Sequence, residues 1–367
     1  MKILLAAGNL FLLTILPVLS LPNFKKSNGG GLSTAGVTLQ HITPDHTRLT
    51  DEDGNTFRVW GFNYGAGSDG LTESFWTSEA KWEALIKDWH DMKGLGANSV
   101  RLHLQAHEFL VDAETINTTA IENLKRLVSI SEETGLYLLI VGLGAYIKAD
   151  QPDWYTGLED SARWLAHHTF WREISKAVGH SPAILGYDLM NEPIVAVNPQ
   201  NGWTPGEAFG GFQYVQNIAL STNDKTQMEV LGEWIDQLTA AIREHDSQHL
   251  ITVGFLSFPV YHTLAPYLSC MTIHLYPKEN DLKPSETAIS HFSADHQLPL
   301  MVTEISPLNG SPDFIEDFIN RHRDVVCGWM WHYHGETPEE IGEPETLVEA
   351  LWKVALEKFK EMAPTQK

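Results

Sequence analysis

Apolar residues along this chain follow two alternating patterns, which predict a succession of strands and helices. Continuous apolar runs, typical of strands buried on both faces of a parallel sheet, alternate with segments in which apolar residues recur every three or four positions. The strand-like runs cover residues 57–64, 98–104, 136–141, 183–192, 250–255, 271–276, 298–304 and 325–331. Eight such strands, mostly separated by helices, predict an α/β fold.

The helical segments decide between two α/β architectures. Helical spacing is clear around Trp82 to Met92, Ile121 to Val128, Trp164 to Val178, Leu231 to Ile242 and Leu347 to Phe359. This alternation predicts a (β/α)8 TIM barrel, although an open doubly wound sheet would show a similar pattern. The count of eight strands, and the lack of a Gly-rich phosphate loop after the first one, favour the barrel.

The N-terminus differs from the rest of the chain. Residues 1–20 combine a positive Lys2 with an apolar run and a small residue, Ser20, as in a secretory signal peptide. A membrane anchor is the alternative, but the run is short for a span and is interrupted by Asn9 and Pro17. Residues 21–36 are Gly-rich and predict a flexible leader. We therefore expect a secreted or periplasmic protein with a single domain over residues 37–367.

Charge and cysteine content narrow the range of partners. The 367 residues carry a formal net charge of −22, which argues against nucleic acid, anionic membranes and strongly anionic polysaccharides as partners. We expect a monomer that needs no cofactor and acts on a neutral substrate. Cys270 and Cys327 lie in apolar runs, so buried free thiols are favoured, while a disulfide stays open. Two thiols do not provide the spacing of a metal cluster.

Polar residues cluster at the C-terminal ends of the predicted strands. Two of them are glutamates, Glu192 and Glu304, each of which ends an apolar run. The others are Asn63, Arg101, His103, Asn191, His274, Tyr276 and Trp331. In a barrel these strand ends converge on one face, where active sites are found. The long segment 194–228, which contains Trp203, Phe209, Phe212 and Tyr214, predicts one wall of a substrate cleft.

These residues give the chain a specific resemblance. It resembles a clan A glycoside hydrolase, and most closely family 5, the cellulase and mannanase family, over roughly residues 40–335. The motifs that carry it are Gly61-Phe62-Asn63, Asn98-Ser99-Val100-Arg101, Asn191-Glu192-Pro193, His274-Leu275-Tyr276, Thr303-Glu304 and the tryptophan-bearing eighth strand. The chain departs from the family on strand three, where the usual histidine is missing and His103 could fill part of the space.

The resemblance implies a role for each residue. Glu192 would be the general acid/base and Glu304 the nucleophile of a retaining hydrolase, with carboxyl groups about 5–5.5 Å apart. Further catalytic roles are implied as follows: Arg101 keeps Glu304 ionised, Asn191 binds the sugar 2-hydroxyl, Tyr276 donates to Glu304, and His274 orients groups near Glu192. The resemblance also implies a flat platform under the sugar, Trp331 or Trp329. Further substrate contacts are expected from Asn63 and His103 at strand ends and from Trp203 in the segment 194–228. The expected substrate is a neutral β-linked glucan or mannan.

Two other functions are alternatives to glycoside hydrolysis. A metal-dependent barrel hydrolase could use some of the 17 histidines, such as His103 with His107, or His332 with His334. Such an enzyme would need a His-x-His motif on its first strand, and this chain has none there. A non-catalytic carbohydrate-binding protein on a glycosidase-like barrel would be expected to lack one carboxylate, and both are present here.

Overall fold

A small antiparallel sheet precedes the main sheet of the protein. Its strands are β1 (Thr43–Asp45), β2 (Arg48–Thr50) and β3 (Thr56–Phe57). The structure, a computed structural model, describes residues 38–65, 76–196, 202–203, 214–294, 298–306, 310–333 and 335–364. The predicted signal peptide, the leader and much of the predicted cleft wall lie outside the described residues. Phe57 belongs to β3, so the first barrel strand begins two residues later than predicted.

Eight parallel strands close into a barrel, as the alternating pattern predicts. The first four are β4 (Val59–Tyr64), β5 (Ser99–Gln105), β6 (Tyr137–Gly144) and β7 (Ile184–Asn191). Two short paired strands follow, β8 (Pro193–Val195) and β9 (Gln216–Ala219). The other four barrel strands are β10 (Leu250–Leu256), β11 (Met271–His274), β12 (Leu300–Glu304) and β13 (Val326–His332). The ring closes through pairing of β7 with β10 and of β13 with β4.

Helices surround the barrel wherever the apolar spacing predicts them. They are α1 (Glu79–Gly94), α2 (Ala106–Phe109), α3 (Thr118–Thr134), α4 (Asp153–Thr156), α5 (Asp160–Val178), α6 (Gln227–Arg243), α7 (Lys283–Ala294), α8 (Pro312–His322), α9 (Pro338–Ile341) and α10 (Leu347–Met362). Between β10 and β11 a 3-10 segment, Pro259–Tyr267, takes the place of an α-helix. Among the described residues, no helix is both long and apolar enough to cross a membrane.

Local sequence signals explain where these helices begin and end. Ser78 and Asn117 accept backbone N–H groups at the starts of α1 and α3, and Thr226 and Glu229 form a capping box at the start of α6. Gly135 ends α3 in the left-handed conformation that favours glycine. The helices pack large indoles against the barrel, and the most deeply buried include Trp89, Trp171 and Trp234.

The cysteines lie inside this packing. Cys270 and Cys327 are both buried and free, which confirms the free-thiol interpretation. Burial raises the pKa of both thiols, so neither is a reactive thiolate at neutral pH.

Candidate active site

The two strand-end glutamates meet at the mouth of the barrel. Glu304 is the last residue of β12, and Glu192 directly follows β7. One carboxylate oxygen from each and a ring nitrogen of His274 all lie within 4.8 Å of one another. Glu192 has a backbone φ of +48°, a strained value for a non-glycine residue, and its N–H donates to the Gly254 carbonyl at 2.8 Å. The backbone is therefore held in an unfavourable conformation that turns this carboxylate toward Glu304.

Three side chains surround the Glu304 carboxylate with positive charge or hydrogen-bond donors. Arg101 Nη1 lies 2.7 Å from Oε1, and the Tyr276 hydroxyl donates to Oε2 at 2.5 Å. His274 Nδ1 is 3.5 Å from Oε2. Burial alone would raise the pKa of Glu304, but His274 and Arg101 outweigh it and hold that pKa well below its usual range. Glu304 is consequently an ionised carboxylate at neutral pH.

Arg101 connects the residues beneath the site. Its guanidinium is fully buried and donates to Asp188 Oδ2 at 2.9 Å, Asn63 Oδ1 at 2.8 Å and Asn191 Oδ1 at 2.9 Å, besides Glu304. Two carboxylates, Asp188 and Glu304, thus balance the charge of one buried guanidinium, and each of its three nitrogens donates to at least one acceptor. Sequence analysis missed Asp188, although a carboxylate inside the apolar run 183–190 was a usable signal.

Gly254 makes room for this arrangement. A Cβ at this position would lie 2.5 Å from Arg101 Nη2, 2.9 Å from His274 Nε2 and 3.0 Å from Asp188 Oδ2. The Gly254 N–H also donates to Asp188 Oδ1 at 2.7 Å. A glycine within a strand pattern often marks a close approach, and this one was not identified from sequence.

His274 lies between the two glutamates. Its Nδ1 is 2.7 Å from Glu192 Oε1, so this nitrogen carries the proton and donates to the carboxylate. Its Nε2 is buried and has no hydrogen-bond partner among the described residues. The ring can therefore steer Glu192 through a single directed hydrogen bond.

Asn63 and His103 lie below the mouth, which corrects their prediction as substrate contacts. Asn63 is 2% exposed, and its Nδ2 donates to the carbonyls of Thr303 and Trp331 at 2.8 and 3.0 Å. His103 is 1% exposed and lies between Asn63 Oδ1 at 3.1 Å and the Tyr146 hydroxyl at 2.8 Å. Burial and the Arg101 charge hold the pKa of His103 well below its usual range, so the ring is neutral. Both residues therefore support Arg101 from within the barrel.

The predicted tryptophan platform is wrong, because β13, the eighth strand of the barrel, directs its tryptophan side chains toward the helices. Trp331 pairs with Phe62 and contacts Phe359 of α10, with ring centroids 5.2 Å apart. Trp329 likewise contacts Phe318 of α8 at 6.0 Å. The inward residue at this strand end is His332, which pairs with Asn63 and places Nε2 3.9 Å from Glu304 Oε2.

Trp203 is buried against residues outside the carboxylate cluster. It is 4% exposed, and it packs edge-on against Tyr155 with centroids 4.9 Å apart and under the Arg163 guanidinium at 5.5 Å. This contact anchors the segment after β8 to α4 and α5. Trp203 is therefore a structural anchor, which corrects its prediction as a substrate contact.

Two tyrosines, Tyr146 and Tyr214, complete the surroundings of the site. Their rings lie 5.8 Å apart, and the Tyr214 carbonyl accepts a hydrogen bond from Asn191 Nδ2 at 3.4 Å. Burial, followed by the charges of Glu304 and Glu192, raises the pKa of Tyr214 to about 12. Tyr146 lies just after β6, the third strand of the barrel, where the sequence lacks the histidine that is usual in family 5.

The donor set can also be compared with a metal site. Glu192, His274 and Glu304 present oxygen and nitrogen atoms of the kind that bind zinc. Arg101, however, places a permanent positive charge 2.7 Å from the same Glu304 carboxylate. Because that charge repels a second cation, the arrangement favours acid–base and nucleophilic chemistry over metal binding.

The chain is similar to proteins of known family and structure. Residues 50–335 match the family model described as cellulase (glycosyl hydrolase family 5). The major extracellular endoglucanase of Xanthomonas campestris pv. campestris is 24% identical over 214 residues, which are 55% of this chain and 41% of that protein. The chain thus matches less than half the length of this relative.

Solved structures share the barrel. An exo-β-1,4-mannosidase from Opitutaceae bacterium strain TAV5 superposes with a TM-score of 0.63 and 17% identity, covering 88% of this chain and 61% of that one. The β-mannanase of the blue mussel Mytilus edulis gives 0.61 and 17%, covering 88% and 97%. At this identity the likeness shows a common fold.

Proposed function

Because the chain belongs to the cellulase family, glycosyl hydrolase family 5, and is thus a glycoside hydrolase, we propose that it cleaves neutral β-linked glucan or mannan with retention of configuration. The observation that carries this proposal is the approach of Glu192 and Glu304, whose nearest oxygens lie within 4.8 Å. Carboxyl groups this close favour a retaining mechanism, because an inverting enzyme needs room for a water molecule between them, at about 6.5–9.5 Å.

In the first step Glu304 attacks the anomeric carbon. Its depressed pKa keeps the carboxylate ionised, and the donors from Arg101 and Tyr276 fix its two oxygens in place. As the new carbon–oxygen bond forms, the bond to the leaving sugar breaks. Glu192 gives its proton to the departing oxygen, so the leaving sugar is released as a neutral alcohol.

In the second step the covalent glycosyl-enzyme is hydrolysed. Glu192, now a carboxylate oriented by His274 Nδ1–H, accepts a proton from water while the water oxygen attacks the anomeric carbon. The bond to Glu304 breaks and the enzyme returns to its starting state. Two displacements at the same carbon restore the original configuration.

Asn191 is suited to bind the sugar 2-hydroxyl. Arg101 holds its Oδ1, and among the described residues its Nδ2 has only a long hydrogen bond of 3.4 Å to the Tyr214 carbonyl. A substrate hydroxyl can compete for that donor, and such contacts strengthen in the transition state. His332 lies on the opposite face of β13 from the helix-facing Trp331, and its Nε2, 3.9 Å from Glu304 Oε2, can offer an imidazole to the same subsite.

The names of the relatives and the net charge support the proposed polysaccharide class and the export of the protein. One relative is named an endoglucanase and two solved structures are named a mannosidase and a mannanase. The net charge of −22 disfavours anionic polysaccharides, which leaves neutral glucans and mannans. The X. campestris relative is named as extracellular, which supports export of this chain through residues 1–20.

A substrate panel with a nucleophile variant tests this function. Purified protein is assayed on β-glucans, mannans and aryl β-glycosides, with the anomeric configuration of the first product followed by NMR. Retention is expected, and Glu304→Ala should lose activity by roughly four orders of magnitude or more. Azide should partly restore turnover and give a glycosyl azide of inverted configuration. An inverted product from the wild type, or an unchanged rate in Glu304→Ala, would overturn the proposal.

A further inference from the structure

Two histidines meet at the closed end of the barrel, opposite the mouth that holds the catalytic glutamates. His249 immediately precedes β10, and its Nε2 lies 3.1 Å from Nδ1 of His41. The two residues are 208 positions apart in the chain. His249 is buried, whereas His41 is half-buried and reaches solvent. Two imidazole nitrogens from separate segments thus converge at a point that a dissolved ion can approach.

The segment that carries His41 is fixed to the barrel floor on both sides of that residue. The Tyr137 hydroxyl, at the start of β6, accepts from the Gln40 N–H at 3.1 Å and donates to the Gln40 carbonyl at 2.9 Å. Leu39 and Ile42 are both buried in the core. His41 is therefore held in place before any ligand arrives, which reduces the entropy that binding costs.

A buried carboxylate orients the His249 ring from behind. Asp246 Oδ2 lies 2.6 Å from His249 Nδ1 and accepts from the Tyr187 hydroxyl at 2.6 Å. Asp246 Oδ1 accepts from the N–H groups of Gln248 and His249. Donors on both oxygens favour the ionised carboxylate, which keeps a proton on His249 Nδ1 and leaves the Nε2 lone pair facing His41. A carboxylate behind an imidazole is the arrangement that orients metal-ligating histidines and raises their basicity.

The distance between the two imidazole nitrogens matches a pair of metal ligands. Metal–nitrogen bonds of about 2.0–2.1 Å at a tetrahedral angle place two nitrogens about 3.3 Å apart, close to the 3.1 Å found here. Imidazole suits Zn²⁺, Cu²⁺ and Ni²⁺, whereas Ca²⁺ and Mg²⁺ prefer oxygen ligands. Two protein ligands leave the remaining positions of the ion to water, which the half-buried His41 side of the pair admits.

The charges around the pair are compatible with a cation. Besides the Asp246 carboxylate behind His249, Glu52 Oε1 lies 3.4 Å from the backbone nitrogen of His41. Arg243 donates to the main-chain carbonyls of Asp246 and His249, at 2.9 Å each, so its guanidinium is directed to the backbone. In the catalytic site, by contrast, a guanidinium contacts one of the candidate ligand carboxylates itself. The closed end therefore accommodates a cation better than the mouth does.

We propose that His41 and His249 form a binding site for a divalent transition-metal ion of the Zn²⁺, Cu²⁺ or Ni²⁺ class. The ion takes the position of the hydrogen bond between the rings. His41 then carries its proton on Nε2 instead of Nδ1, so that His41 Nδ1 and His249 Nε2 both present lone pairs. The bound ion fastens the N-terminal segment to the barrel floor and stabilises the folded state. The inference does not rest on the proposed hydrolysis, because the site lies at the other end of the barrel from Glu192 and Glu304.

Thermal unfolding of the metal-free full chain with and without Zn²⁺ tests the site. Zn²⁺ at about 100 times its dissociation constant should raise the wild-type Tm by roughly 5 °C. His41→Asn is the discriminating variant, because its amide nitrogen can still donate to His249 Nε2 but is not a metal ligand. It should keep the metal-free Tm to within about 2 °C and lose the Zn²⁺ shift. His90→Ala, which removes an exposed histidine of α1, is the control and should keep the full shift.

Cu²⁺ gives a second readout that needs no variant. Electron paramagnetic resonance of the wild type with one equivalent of Cu²⁺ should show nitrogen coupling from two imidazoles. A Tm that Zn²⁺ leaves unchanged, an equal Zn²⁺ shift in wild type and His41→Asn, or a Cu²⁺ spectrum without nitrogen coupling would each overturn the proposal.

Discussion

Gly254 lies so close to Arg101 that a single added carbon would displace the guanidinium. A Cβ at residue 254 would be 2.5 Å from Arg101 Nη2, and the other atoms it would meet belong to His274 and Asp188. We predict that Gly254→Ala lowers kcat about a hundredfold or more, because small displacements of catalytic groups cost about that factor. The measurement is kcat with circular dichroism as a check on folding.

Gly94→Ala is the control for that substitution. A Cβ at Gly94, the last residue of α1, meets nothing within 4 Å. Activity should be unchanged and stability equal or slightly higher, since alanine is the better helix former. An active Gly254→Ala enzyme would contradict the tight packing described around Arg101.

Asp188 should matter for folding as much as for catalysis. It is fully buried, and its carboxylate accepts from Arg101 at 2.9 Å and from the Gly254 N–H at 2.7 Å. Asp188→Asn leaves Arg101 with one fewer counter-charge, and breaking a buried pair costs about 3–5 kcal/mol. Denaturant unfolding measures the loss. Asp45→Asn, which removes an exposed partner of Arg48, should cost under about 1 kcal/mol by comparison.

Tyr276 should control the acid side of the pH–rate profile. In the wild type the pKa of Glu304 is held well below its usual range, so Glu304 does not limit kcat/KM at mildly acidic pH. Tyr276→Phe removes a hydrogen bond to the ionised form, so the pKa of Glu304 must rise and the acidic limb must move to higher pH.

Tyr276→Phe should also lower kcat, and Tyr64→Phe is its control. Loss of one such donor should lower kcat by about 10²–10³-fold. Tyr64→Phe removes a hydroxyl that donates to Asp88, a carboxylate outside the catalytic group, and should leave the limb in place. A profile of unchanged shape in Tyr276→Phe would show that Tyr276 does not tune Glu304.

Asp88 provides a test of stability against pH. Burial, opposed by Tyr64 and Lys87, raises its pKa to about 6, above the value of about 3.9 for the unfolded chain. The folded state therefore binds more protons between these values, and stability falls as pH rises from about 4 to about 6. Asp88→Asn should remove this loss and stabilise the protein at pH 7 by about 1–2 kcal/mol. Thermal melts at pH 4 and pH 7 measure it, and an equal Tm change at both values would contradict the assignment.

The parts of the site that sequence predicted are those set by strand ends. Glu192, Glu304, His274 and Tyr276 converge because parallel strands of one barrel finish on the same face, and Arg101, the third residue of β5, reaches Glu304 from within the barrel. The alternation of apolar runs and helical spacing was sufficient for the barrel, since eight doubly buried strands leave few other arrangements. The approach of Glu192 and Glu304 could thus be expected without coordinates.

Side-chain direction was the part that sequence could not supply. Trp331 and His332 are adjacent, and the structure decides which of them points inward through the pairing of His332 with Asn63 and the contact of Trp331 with Phe359. Asp188 lies in a continuous apolar run without alternation of polar and apolar residues. The sequence therefore does not show whether its side chain points into the barrel or toward the helices. The aromatic residues around Trp203 suggested that it lines the substrate cleft. Its partners, Tyr155 and Arg163, are distant in the sequence, so no local pattern predicts these contacts.

Covalent trapping tests the central claim most directly. Purified protein is treated with 2-deoxy-2-fluoro-β-glucosyl and β-mannosyl fluorides, which slow the second displacement, and is then digested for mass spectrometry. The account predicts inactivation with one sugar attached to the carboxylate of Glu304. A label on another residue, or hydrolysis that proceeds with inversion and leaves no label, would contradict it.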